Sequence, residues 1–264
     1  MFREKLGMFQ YIHDTYGGEL VVAPGDSNSG RWYRQSFIES FNSSMSPEEA
    51  ILAAGKNCYG TMKQLFDEAG YDKLLMAVGD HELGGNGWGK DHNKTLHLPQ
   101  FRETFSKGFN RDPVTDEFLY SLPIGNATAT PVGTTFQYTS YAHQHKNVLF
   151  LTVDAFKTVE TDEDEFFDRE NGRGGEGIVT CTVTGDHLAW FRHVLQEANK
   201  DPSIQHIFVQ THVPVLQPVR KITSSGQYMD DESDSEFWKA MVEYGVDIYF
   251  AGKKVMGVIV YNHC

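Results

Sequence analysis

Asp26, Asp80, His81, Glu82 and His212 are the residues of this chain whose types and spacing could do chemistry. Each stands at the end of an apolar run: Val22-Ala23-Pro24-Gly25-Asp26, Val78-Gly79-Asp80-His81-Glu82 and Val209-Gln210-Thr211-His212. Carboxylates and imidazoles ligate divalent ions and also move protons, and active sites of α/β sheets lie outside the carboxyl ends of strands. The glycines before Asp26 and Asp80 let backbone approach an ion closely. A lone Gly-Asp is ordinary turn chemistry. Three such ends in order, two of them carrying imidazole, favour ligation.

Taken in order, Gly25-Asp26, Gly79-Asp80-His81-Glu82 and Val209-x-x-His212 resemble the motifs of the calcineurin-like metallophosphoesterase family. The purple acid phosphatase branch matches the V-x-x-H string most literally. The resemblance covers nearly the whole chain and implies a single α/β domain over residues 1–264, an αββα sandwich of two mixed β-sheets with flanking helices. It also implies hydrolysis of a small-molecule phosphate ester at two divalent ions (Mn, Zn or Fe) roughly 4 Å apart. Asp26 would bridge the ions. Asp80, where the family usually has Asn, would be a terminal ligand that adds negative charge, and His212 would serve the same ion. His81 would protonate the leaving oxygen, with Glu82 orienting its imidazole. Arg31 and Arg34, in Gly30-Arg31-Trp32-Tyr33-Arg34, could meet phosphate oxygens or lie on the surface. Ser29 stands where the branch has its chromophoric Tyr, so no iron-tyrosinate is expected.

Two of the family's five blocks have no counterpart. The D-x-H block that should precede the first helix is missing, and His13-Asp14 has the wrong order and place. The strand that should lead into G-H-x-H runs instead into Lys253-Lys254-Val255-Met256, and an ammonium has no lone pair with which to ligate. The expected remainder is one half-site, Asp26, Asp80 and His212, with weak turnover or none. The alternatives are a non-catalytic or truncated homologue, or a secreted calcium-binding or adhesion module using Glu160 to Glu165, which lacks EF-hand spacing.

A formal charge of -13, from 36 acidic and 23 basic residues, argues against a nucleic-acid partner and leaves bound ions to supply local positive charge. Cys58, Cys181 and Cys264 form no C-x-x-C pair, and Cys58 is expected as a small buried apolar residue. No run has transmembrane length and no signal-peptide core is present, so the chain is expected to be soluble, without a membrane partner. Three sequons, at Asn42, Asn93 and Asn126, leave a secreted location open. Compartment and oligomeric state are not legible.

The elements that must position these residues follow from periodicity. Leu6 to Tyr16 reads as a helix, and Glu19 to Ala23 as a strand. Ser46-Pro47-Glu48-Glu49 is a capping box opening a helix that ends at Gly70, and Lys73 to Val78 is the next strand. A Gly-rich loop follows, then a short helix from Leu98-Pro99 to about Phe109. Thr134 to Tyr141 and Val148 to Phe156 read as a hairpin whose turn leaves His143 and His145 solvated, and residues 158–177 as an acidic loop insertion. Asp186 is expected to cap a helix through Ala198. Gln205 to Thr211 reads as a strand, Ser235 to Tyr244 as a helix and Val246 to Ala251 as the last strand.

Overall fold

A computed structural model describes residues 2–71, 73–89, 92–159, 177–217 and 227–252 of the chain. Helix α1 (Phe2–Tyr16) leads through Gly17-Gly18 into strand β1 (Leu20–Ala23), and α2 (Gln35–Asn42) follows the first candidate loop. Helix α3 (Pro47–Glu68) starts as its sequence demands: Ser46 Oγ accepts from the Glu49 amide, and the Glu49 carboxylate accepts from the Ser46 amide. Two of the helix's first free amides are thus satisfied, with proline in the first turn where no donor is needed. Gly70, at φ 94°, turns the chain into β2 (Lys73–Met76). After α4 (Asn93–Leu96), α5 (Leu98–Phe105) continues into a π-helical turn, Ser106–Asn110. Strands β3 (Tyr141–His145), β4 (Val148–Thr152), β5 (Phe156–Thr158) and β6 (Val179–Cys181) precede helix α6 (Gly185–Ala198), strand β7 (His206–Thr211), helix α7 (Glu236–Glu243) and strand β8 (Ile248–Ala251).

The chain is mixed α/β, with strands in three sheets among the described residues. β1 and β2 pair in parallel, β5 and β6 antiparallel, and the largest sheet has the order β3-β4-β7-β8. Within that sheet β3 runs antiparallel to β4, while β4, β7 and β8 are mutually parallel. Only this sheet is mixed in direction.

Strand alternation sorts the core. Leu149, Leu151, Ile207 and Val209 on one face of the large sheet pack with Phe191 and Leu195 of α6 and Phe237 and Met241 of α7. Phe150, with Val148 and Phe208, points the other way, toward Leu75 of β2 and Leu20 and Val22 of β1. Leu74 and Met76 of β2 then face Ile51 and Ala54 of α3 and Phe101 and Phe105 of α5. Three hydrogen bonds tie backbone of β2 to side chains across the sheet interface: Tyr120 Oη to Leu74 O at 3.0 Å, Gln210 Nε2 to Leu75 O at 3.1 Å, and Tyr141 Oη to Met76 O at 3.1 Å. Among the described residues no helix is long and apolar enough to cross a membrane.

The structure departs from the periodicity reading in four places. Residues 134–139 are turns, and the hairpin forms from β3 and β4 with Lys146, at φ 55°, in its turn. His143 and His145 therefore lie in a strand. His145 Nε2 meets Glu19 Oε2 at 2.8 Å, and His143 is half-buried beside Lys73 and the Tyr120 ring, where burial and the ammonium pull its pKa down to about 4. The expected strand Val148 to Phe156 divides after Thr152 because the Asp154 amide leaves the ladder to donate to Ser140 Oγ. Thr184, not Asp186, occupies the cap of α6, and Asp186 lies in the first turn, where its charge complements the helix dipole. Cys58 is exposed, since Gly55 and Tyr59 form the face of α3 on which Thr104 and the Gly108 turn are packed. The calcium-type segment Glu160 to Glu165 and Lys253 to Met256 lie outside the described residues, as does nearly all of the expected loop 158–177.

Candidate metal centre

Asp26 follows β1, Asp80 follows β2 and His212 follows β7, so the small sheet supplies two carboxylates and the large sheet one imidazole. They converge. His212 Nε2 lies 3.1 Å from Asp80 Oδ1 and 3.3 Å from Asp26 Oδ2. One ligand atom from each of the three residues lies within 4.8 Å of the others. Asp80 and His212 are buried and the Asp26 side of the cluster is open to solvent.

Backbone packing brings these groups together. Asp26 adopts φ 60°, the left-handed region that costs a non-glycine residue energy and recurs at functional sites. A Cβ on Gly79 would sit 2.4 Å from Asp26 Oδ1 and 2.7 Å from Glu82 Oε2. A Cβ on Gly252, just beyond β8, would sit 1.9 Å from Pro24 O and 3.0 Å from His212 Nδ1. Both positions must be glycine for the strand ends to close on one point.

The His212 ring is fixed in orientation. Its Nδ1 hydrogen-bonds to Pro24 O at 2.8 Å, which leaves Nε2 facing the gap between the two carboxylates. In the neutral tautomer that nitrogen carries the lone pair, the arrangement by which a second hydrogen bond orients a metal-binding histidine. Without an ion, Nε2 holds a proton. Burial disfavours that charge, yet hydrogen bonds and charge from Asp26 and Asp80 override it and push the pKa up to about 10. Two carboxylates and an imidazole in this geometry fit a divalent cation.

Glu82 is fully buried and does not orient His81 directly. Its Oε2 accepts from the amides of Gly79 and Asp26, each at 2.8 Å. Its Oε1 accepts from the Ser27 amide at 2.8 Å, Ser27 Oγ at 2.7 Å and Asn28 Nδ2 at 3.3 Å. Burial and the neighbouring Asp26 charge raise its pKa, against the pull of these donors. Residues His81–Leu83 form a 3₁₀ turn, and three residues per turn sends neighbouring side chains about 120° apart. Glu82 points inward and His81 is left half-buried, its Nδ1 3.1 Å from Asn28 O and its amide donating to Asp26 Oδ1 at 3.2 Å. Arg31 and Arg34 are exposed, and Arg34 engages the neighbouring Tyr33 ring and hydroxyl. Among the described residues neither guanidinium hydrogen-bonds to the cluster.

Asp154 is a further strand-end carboxylate, hidden from sequence reading inside the run Val148 to Phe156. It pairs with Arg102 Nε at 2.9 Å and accepts from Thr139 Oγ1 at 2.8 Å. Arg102 Nη2 donates to Phe156 O at 2.5 Å, and the Phe156 ring lies 6.3 Å from that of His212. Asp154 thus serves an internal cation beside the centre. Asn28 also escapes sequence reading, because its carbonyl and its side chain meet partners that no spacing rule encodes. No protein-family model matches this chain, and no curated protein matches it.

Proposed function

We propose that this chain is a metallophosphoesterase-like hydrolase of αββα sandwich type that holds one divalent ion (Mn, Zn or Fe) at Asp26, Asp80 and His212. Its substrate is a small-molecule phosphate ester. The observation that carries this reading is the meeting of three strand ends from two sheets, with His212 Nε2 turned toward both carboxylates by Pro24 O. A bound divalent ion supplies charge and Lewis-acid polarisation of a phosphoryl oxygen. The residues do the rest. Asp80 supplies a charge where Asn would supply a dipole, which tightens ion binding and lessens the attraction for an anionic substrate. Asn28 O accepts from His81 Nδ1–H, and the imidazolium form would deliver its Nε2 proton to the leaving oxygen. Asp26, on the open side, marks where substrate enters.

A second reading, a non-catalytic homologue that keeps the ion site, is favoured by one observation. Among the described residues, Asp26, Asp80 and His212 are the single group of three or more ligand side chains within reach of one another. Both readings expect one ion per chain. Calorimetric titration with Mn²⁺ should give one site, lost in Asp26→Ala and His212→Ala variants whose circular dichroism is unchanged. Absence of binding by the unaltered chain ends the metal reading. Turnover of p-nitrophenyl phosphate is expected to be slow; none with any phosphate mono- or diester would favour the non-catalytic reading.

A further inference from the structure

Two consecutive residues of the Asp26 loop, Gly25 at φ 90° and Asp26 at φ 60°, are left-handed, and the next amides turn toward a common point. Such a run of amides makes an anion-binding concavity. Here the anion is internal. The Glu82 carboxylate accepts from the amides of Asp26 and Ser27, from Ser27 Oγ and Asn28 Nδ2, and from the amide of Gly79 on the adjoining strand end. Asn28 in turn accepts from the Gly30 amide through its side chain at 2.7 Å and holds His81 Nδ1 through its carbonyl.

We propose that Glu82 is the positioning residue of the centre, holding the ligand Asp26 directly and the His81 imidazole indirectly through the Asn28 carbonyl. The inference rests on the metal-binding reading above and adds that ligand and proton donor are set by one buried carboxylate. A packing role would need only the shape of the side chain. The positioning role needs two acceptor oxygens, because donors converge on both.

The isosteric variant Glu82→Gln separates these. Gln keeps the volume but presents an NH₂ group to donors that already point inward, so the loop must open. The expected result is a loss of Mn²⁺ affinity of at least about tenfold, as for other groups that support a metal ligand. In the metal-free protein, the ¹H–¹⁵N correlations of the His81 ring should move from the Nδ1–H form toward a mixture. Asn28→Ala, which cuts the side-chain link while keeping the carbonyl, should shift His81 in the same sense and serves if Glu82→Gln does not fold. Glu197→Gln, another buried glutamate remote from the centre, should change neither reading.

Folded Glu82→Gln with unchanged Mn²⁺ affinity and an unchanged His81 ring overturns the proposal. An unaltered chain that binds Mn²⁺ but hydrolyses no ester, with both losses still present in Glu82→Gln, supports the proposal and overturns the hydrolytic reading. If the unaltered chain binds no ion, the His81 ring alone decides: a shift supports the proposal, and no shift overturns it.

Discussion

At the scale of single residues, buried imidazoles in this chain take opposite charge states for opposite electrostatic reasons. With no ion bound, the two carboxylates in front of His212 Nε2 push its pKa up to about 10, whereas among the described residues no carboxylate pairs with His187. The His187 ring is stacked between Phe136 at 4.3 Å and Trp190 at 5.8 Å, its Nε2 meets Ser140 Oγ at 3.0 Å, and no described residue partners Nδ1. Burial draws its pKa down to about 4. In the unfolded chain the same group titrates near 6.5, so folding stability is fully present above that pH and is lost as pH falls toward 4. The loss from this residue is on the order of 3 kcal/mol, from 1.36 kcal/mol per unit. Urea midpoints at pH 7 and pH 4.5 should therefore fall less in His187→Phe than in the unaltered chain. Equal falls would show that His187 does not report the acid transition.

At the scale of elements, the strand ends decide the site, and glycine decides how closely they meet. Gly79 has an ordinary backbone, so Gly79→Ala is not strained by conformation; its cost comes from a methyl group placed between Asp26 and Glu82. We expect destabilisation of about 1–3 kcal/mol, as for overpacked positions. Loss of Mn²⁺ binding should accompany it. Gly60, inside α3 with nothing within 4 Å of an added Cβ, provides the contrast: Gly60→Ala should stabilise by about 1 kcal/mol and leave binding unchanged. Denaturation curves and Mn²⁺ titrations of the two variants test both expectations, and similar behaviour would remove the close-approach argument. Elements with local signatures were legible in sequence: the Ser46–Glu49 box and its helix, and the strands before Asp26, Asp80 and His212. The β3–β4 hairpin was misplaced because turns at 134–139 imitate alternation. A hydrogen bond from the Asp154 amide to Ser140, distant in the pattern, ended β4 early.

At the scale of the whole molecule, the cluster of Asp26, Asp80 and His212 forms only if the two sheets keep their relative position, since His212 and the aspartates follow strands of different sheets. The fully buried Tyr141, stacked 4.3 Å from Tyr120, fastens them through its hydroxyl on Met76 O, four residues before Asp80. Tyr141→Phe keeps the ring and removes the bond, at an expected cost of about 1–3 kcal/mol for a buried acceptor left without that donor. Chemical denaturation measures the cost, and amide exchange of β2 should quicken with it. Unchanged stability would mean that apolar packing alone holds the sheets together.

The sequence by itself determined which residues could ligate an ion and that they end strands, because residue type, glycine punctuation and apolar runs are local properties. It determined the capped helix α3 for the same reason. Only the tertiary structure decided that Asp26, Asp80 and His212 meet, that Glu82 binds the Asp26 loop instead of His81, and that Asp154 answers Arg102. Those outcomes depend on which strand ends lie side by side and on backbone amides and carbonyls. Such groups are identical in every residue but proline and leave no mark in the order of side chains.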